Sequence, residues 1–193
     1  RNNPGGTDQA YQKILPYICT NDIRIMGAEY YATPTLVNGL KKYMDGLSKD
    51  KNYDKDRKRI HKKIQIYKKH MYEFVNMDSS EYYTQEIHPA KQGPENVIIL
   101  INGGTASSGE NFAYKAKQSK KVKIVGTPSA GVLDYGSTRW AYIGNEYYKL
   151  SLPTFRSLRL PDYPIDNIGI QPDIYLNTNT KDLIKYAQNY LEN

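Results

Sequence analysis

The sequence predicts an α/β fold, and the strongest sign is a strand–turn–helix–strand order between Val97 and Val125. Val97-Ile98-Ile99-Leu100-Ile101 is a continuous apolar run rich in β-branched residues, the pattern of a strand covered on both faces. It stops at Asn102-Gly103-Gly104. An amphipathic stretch follows from about Ser107 to Ser119, and Val122-Lys123-Ile124-Val125 reads as a second strand. Two strands joined through a helix run parallel, because the crossover returns the chain to the same end of the sheet. The second observation is the placement of charge. Between Lys41 and Lys69 twelve Lys/Arg face four Asp, a net of +8, while the remainder holds 15 basic and 16 acidic residues. The chain's +7 is therefore local, which favours a helical insertion over a body built around a polyanion.

The other elements follow in chain order. Thr7 and Asp8 are placed to cap a short helix running to Ile18, with Pro16 ending or distorting it. Ile23 to Tyr31 reads as a strand. Leu36, Leu40, Tyr43, Met44 and Leu47 recur at helical spacing, as do Ile60, Ile64, Tyr67, Met71 and Phe74. The polar segment Lys49 to Asp54 joins them. Residues 34–76 thus read as a lysine-rich helical hairpin, apolar stripes inward and lysines outward. Beyond the βαβ unit, Thr138–Ile143 and Tyr147–Leu152 flank Gly144-Asn145 as a hairpin, and a closing helix is expected from Thr180 to Leu191.

Composition bounds the function. The 193 residues suffice for one domain with a core, and 39% are hydrophobic. No apolar run approaches the roughly 20 residues that span a bilayer. The single cysteine, Cys19, excludes an internal disulfide framework and a multi-cysteine metal site, and its apolar neighbours suggest a buried, inert thiol. Arg1-Asn2-Asn3-Pro4-Gly5-Gly6 opens the chain inside a tight turn, so a strand is expected before Arg1 and the chain reads as a piece of a longer protein.

Chemistry is expected where a strand ends and a helix begins. The loop from Asn102 to Glu110 has the G-x4-G spacing of a phosphate loop, but Glu110 stands where that loop needs Lys, and its carboxylate would repel phosphate. A serine nucleophile fits better. Ser107-Ser108-Gly109 matches the second half of a G-x-S-x-G elbow, with Thr105 at the first glycine position. At a helix N-terminus, unpaired backbone N–H groups stabilise a developing oxyanion. Ser107-x-x-Glu110 is equally a capping box that needs no function.

Four segments in order resemble the C-terminal processing peptidases, the tail-specific protease and tricorn-like group. Arg1-Asn2-Asn3-Pro4-Gly5-Gly6 is similar to their Arg-x-Asn-x-Gly-Gly strand end. Thr105-Ala106-Ser107-Ser108-Gly109-Glu110 resembles their nucleophile motif. Gly126-Thr127-Pro128-Ser129-Ala130-Gly131 resembles the Gly-x-Pro-Thr-x-Gly after their next strand, and Asp166 to Asp173 their Gly-Val-x-Pro-Asp segment. The resemblance implies a crotonase-like core with a mixed sheet, spanning residues 1–193 around the helical insertion. It implies that Ser107 attacks the scissile carbonyl, with Ser108 as the rival nucleophile. The N–H of Gly5 or Gly6, together with that of Ser108, would form the oxyanion hole, and Asp166 matches the acid that orients a histidine base. No cofactor and no metal are implied.

The departures matter as much. Val132 occupies the position of the tail-specific lysine base, and the tricorn-like histidine lies upstream of the Arg-x-Asn-x-Gly-Gly motif, outside this chain. His61, His70 and His88 have no metal-ligand spacing, and only His88 merits a test as base. A serine without a base is a poor nucleophile. Asp173 is expected to brace a turn. The expected substrate is an unfolded or C-terminally accessible polypeptide, selected in the longer protein by an adjoining peptide-binding domain, in the periplasm or cell envelope. The rival is a peptide-binding module of the same fold that has lost catalysis. Nucleic-acid binding is disfavoured, because the tyrosine pairs and the basic run lie in different segments.

Overall fold

The computed structural model describes residues 1–47, 50–177 and 179–192. Its helices are α1 (Gln9–Gln12), α2 (Leu15–Ile18), α3 (Pro34–Gly46), α4 (Asp54–Lys69), α5 (Ser108–Ala116) and α6 (Thr180–Glu192). The strands begin with β1 (Ile23–Met26), β2 (Ala28–Tyr31), β3 (Phe74–Asn76), β4 (Tyr82–Gln85), β5 (Val97–Ile101) and β6 (Val122–Gly126). They continue with β7 (Tyr135–Gly136), β8 (Arg139–Ile143), β9 (Asn145–Leu152), β10 (Phe155–Ser157) and β11 (Ile174–Tyr175). The chain divides into two compact units. The first holds Arg1–Met26, Tyr82–Asp134 and Arg159–Asn193; the second holds Gly27–Glu81 and Tyr135–Leu158.

The first unit contains the expected βαβ element. β5 and β6 run parallel from Val97↔Val122 to Ile101↔Gly126, with α5 as the crossover. β11 adds on the far side of β6, also parallel, and β1 pairs antiparallel with β4 in a separate ribbon. The expectation of one mixed sheet is therefore corrected: parallel and antiparallel pairs occupy different sheets. The core joins Leu15, Ile18, Cys19, Ile23, Ile101, Ala113, Ala116 and Ile124, all buried. Burial pushes the Cys19 thiol upward, so it stays protonated and inert. Pro16 does interrupt the first helix, which is split into α1 and α2.

The expected strand from Ile23 to Tyr31 breaks at Gly27 into β1 and β2, which belong to different sheets and different units. A Cβ at Gly27 would stand 3.0–3.1 Å from the carbonyl oxygens of Ser80 and Glu81. The close backbone approach needs a glycine there.

In the second unit β3, β2, β10 and β7 form a four-stranded antiparallel sheet, and β8–β9 a separate hairpin. Thr33 caps α3 by accepting from Leu36 N–H at 3.1 Å, with Pro34 as the first helical residue. Leu36 and Val37 of α3 share a buried cluster with Ile60, Ile64 and Tyr67 of α4. Each such side chain contributes about 1.5–3 kcal/mol relative to exposure. Two readings of the stripes are corrected. Tyr43 is 61% exposed. α4 ends at Lys69, and Phe74 lies in β3, against Tyr31. Lys68, Lys69 and His70 are the basic residues that favour a helix C-terminus, and the helix ends there. Of the joining segment expected at Lys49–Asp54, residues 48 and 49 lie outside the described residues.

Candidate active site

β5 ends at Ile101, and the turn that follows delivers Ser107 to the N-terminus of α5. Ser107 has φ +51° and ψ −118°, a strained conformation for a residue with a Cβ. Such a backbone lifts a side chain out of a strand–helix turn, the geometry of a nucleophile elbow. Ser107 is exposed. Its backbone N–H donates to Glu110 Oε2 at 2.9 Å. The capping interaction and the strained serine are thus one construction, and the two readings of Ser107-x-x-Glu110 are not rivals.

The glycine-rich N-terminal segment is bound directly to this loop. Ala106 N–H donates to the carbonyl of Asn3 at 2.8 Å. Asn2 and Asn102 exchange two bonds, Asn2 N–H to Asn102 Oδ1 at 3.0 Å and Asn102 Nδ2 to Asn2 Oδ1 at 2.8 Å. A Cβ at Gly5, whose φ is +107°, would stand 2.7 Å from Ser107 Cβ and 3.2 Å from its Oγ. Only glycine lets the chain pass so close to the hydroxyl. The Gly5 N–H is already committed to Asn3 Oδ1 at 3.0 Å. Gly6, by contrast, has open space where a Cβ would stand, and its N–H has no acceptor among the described residues. Ser108 N–H is likewise unpaired among them, as expected for the first residue of a helix.

Glu110 is fully buried and organises the rest. Oε1 accepts from Ser129 Oγ at 2.6 Å and Gly131 N–H at 2.7 Å; Oε2 accepts from Val132 N–H at 3.1 Å as well as from Ser107. Four donors on one carboxylate hold its charge in the interior. Ser129 Oγ in turn accepts from Ile170 N–H at 2.6 Å. A Cβ at Gly169, whose φ is +76°, would stand 2.3 Å from the Ser129 carbonyl oxygen. The four sequence motifs therefore meet in one hydrogen-bonded network. The sequence showed Glu110 as a capping residue and as part of a motif, but not as the acceptor of four donors. The Asn2–Asn102 pairing, a hundred residues apart, carried no local signal.

Asp166 does not reach Ser107 through any hydrogen bond among the described residues. Its Oδ1 accepts from Leu133 and Asp134 N–H at 2.6 and 2.7 Å. Asp134 returns the contact from its buried carboxylate, accepting from Ile165 and Asp166 N–H, and pairs with Arg159 at 2.9 Å. This clasp fixes the segment that continues from Val132. Asp173 braces β6 by accepting from Ile124 N–H at 2.8 Å and pairing with Lys117 at 2.9 Å. Burial works to raise its carboxyl, but these bonds outweigh burial and leave it below the ordinary value.

No histidine or lysine hydrogen-bonds to Ser107 among the described residues. His61 and His70 lie in the second unit, at α4 and its C-cap. His88 is exposed on a loop. Lys115 is buried, its ammonium lowered by desolvation and held by Gln85 Oε1 at 3.1 Å. It stands eight residues along α5 from Ser107, a rise of roughly 12 Å, too far to take the serine proton. Val132 shares the acceptor Glu110 Oε2 with Ser107, so the position that the resemblance gives to a lysine base lies beside the Ser107 backbone and carries an apolar side chain.

The peptidase family S41 model matches residues 1–176. The chain belongs to this family. Mature CPAF is similar over 98% of this chain and 40% of its own, at 18% identity and a TM-score of 0.62. The CPAF complex with lactacystin gives 19% identity and a TM-score of 0.63. A protein from Parabacteroides merdae, solved as a candidate peptidase, is similar over 99% of this chain and 50% of its own, at 14% identity and a TM-score of 0.57. At these identities the likeness is one of fold, and this chain spans well under two thirds of each of these proteins. No curated protein sequence matches it. No helix among the described residues is long and apolar enough to cross a membrane.

Proposed function

We propose that the chain is the catalytic core of a serine peptidase that cleaves peptide bonds in unfolded or C-terminally accessible polypeptides, with Ser107 as nucleophile. The strained Ser107 backbone, packed against Gly5 and tied to buried Glu110, carries this reading. Ser107 Oγ attacks the carbonyl carbon, and the resulting oxyanion takes hydrogen bonds from the N–H groups of Gly6 and Ser108. Gly5, its own N–H used internally, provides the close approach. Collapse of the tetrahedral intermediate expels the amine and leaves an acyl-serine, which water hydrolyses. Asp166 belongs to the catalytic apparatus in this reading, holding the segment beside Val132. The proton acceptor is a histidine supplied from chain upstream of Arg1, as in the tricorn-like pattern. The same resemblance supports an adjoining peptide-binding domain and a periplasmic or envelope location.

Mass spectrometry of an unfolded polypeptide incubated with the full-length protein tests this. Cleavage by the wild type and none by Ser107→Ala is expected. Equal cleavage by both would move the nucleophile to Ser108 or refute the role. One observation favours a second reading, a peptide-binding module without catalysis: no base touches Ser107 among the described residues. Fluorophosphonate labelling separates the two, since an activated serine reacts stoichiometrically and an inert one does not.

A further inference from the structure

The second unit contains a cavity of about 430 Å³ whose walls include Tyr31, Arg139, Trp140, Ala141, Leu152 and Pro153. Arg139, Trp140 and Ala141 are consecutive in β8, and consecutive strand residues point to opposite faces. Arg139 and its cross-strand partner Leu152 point to one face of the hairpin, and the cavity lies against that face and reaches Trp140 at the strand's side. β8 and β9 pair only with each other, and among the described residues no backbone hydrogen bond joins either strand to another element. The edge of β8 away from β9 thus offers peptide N–H and C=O groups as a template for another strand. Arg139 has no ion pair or hydrogen bond among the described residues, and it lines the cavity beside apolar residues and Thr33, Thr35 and Thr154. The unit around it holds 15 Lys/Arg against 9 Asp/Glu.

From this geometry we propose that the hairpin docks an extended polypeptide segment carrying an acidic residue beside a bulky apolar one. The segment adds along the free strand edge. Its carboxylate pairs with Arg139, and its apolar side chain fills the cavity between Trp140, Tyr31 and Leu152. Arg139 suits a carboxylate because its planar fork donates two parallel hydrogen bonds. A second copy of the chain would bring a like-charged unit against this one. A lipid surface would cover the exposed aromatic residues but leave the strand edge's peptide groups without partners. As a substrate-selecting site the inference rests on the peptidase reading; the binding itself does not.

Trp140 is the chain's only tryptophan and is 65% exposed, so its emission reports occupancy directly. The test titrates the Ser107→Ala protein with a ten-residue extended peptide containing Glu-Phe, with the same peptide containing Gln-Phe, and with anionic phosphatidylserine vesicles. A saturable shift in emission with the Glu-Phe peptide is expected, with affinity falling about tenfold or more for Gln-Phe. In Arg139→Gln that difference should vanish. No saturable response, equal response to both peptides, or a response to vesicles alone would overturn the proposal. Because the peptide substitution probes the charge without altering the protein, a misfolded Arg139→Gln variant would not blur the result. Hydrolysis plays no part in the measurement, so its failure would leave the peptidase reading standing, and failure of cleavage at Ser107 would leave this site standing.

Discussion

The two units handle charge in opposite ways. The first is close to neutral, with 12 Lys/Arg against 11 Asp/Glu, yet it buries Glu110, Lys115, Asp134 and Arg159. Each buried group is met by backbone N–H groups, a partner charge or an amide. The second unit carries a net +6 and, among the described residues, buries none of its charges; eight Lys/Arg lie on the sixteen residues of α4, around an apolar stripe. A buried, satisfied charge fixes one arrangement of the loops that meet on it, because any other arrangement leaves it unpaired. A solvated charge fixes almost nothing.

Substitutions can break or sharpen this contrast. The largest effect is expected from Glu110→Ala, which strands four donors in the first unit and should cost roughly 3–5 kcal/mol in urea unfolding. A loss below about 1 kcal/mol would show that the carboxylate does not hold the loops. Ile64→Ala, in the apolar stripe of α4, should cost about 2–4 kcal/mol. Trp140 emission reports that loss in the second unit, and hydrolysis rates under native conditions should stay intact. Gly5→Ala places a Cβ 2.7 Å from Ser107 Cβ and should cut hydrolysis about 100-fold or more, with Trp140 emission unchanged.

A smaller effect is expected from Asp173→Asn, about 1–2 kcal/mol at neutral pH. Because the native carboxyl lies below its ordinary value, its stabilisation is present above the ordinary carboxylate range and is lost as pH falls through the native value. The gap between wild type and variant should therefore close in acid, as followed by circular dichroism during an acid titration. A gap that persists at low pH would mean that the ion pair contributes nothing. The smallest effect is expected from charge reversal on α4. Lys58→Glu with Lys62→Glu, both exposed, should change the melting free energy by less than about 0.5 kcal/mol. A loss of several kcal/mol there would erase the distinction between the two kinds of charge.

Legibility in the sequence followed the range of the interactions. β5, α5 and β6 could be read because a β-branched run and a 3.6-residue period are local patterns that burial selects directly. The β8–β9 hairpin and α6 were readable for the same reason. Gly27 was hidden within an apparent single strand, since what splits it is the approach of the carbonyls of Ser80 and Glu81. Phe74 continued a helical period that the chain had already abandoned at Lys69, where the basic residues of the last turn were the local stop signal.

The sequence by itself determined the chemistry the loop can carry. A serine three residues before a glutamate, behind a strand and ahead of a helix, admits a nucleophile and rejects a phosphate. The four motifs in order mark the S41 family, which the match over residues 1–176 shows. The tertiary structure alone decided which atoms meet. It spends the N–H of Gly5 on Asn3 and, among the described residues, leaves that of Gly6 unpaired, turns Asp166 toward Leu133 and Asp134, and sets Val132 and Ser107 on one carboxylate oxygen. The physical reason is that residue type fixes what a group can donate or accept. Which partner it meets depends on buried backbone groups far apart in the chain, whose positions exist only once the loops have closed on Glu110.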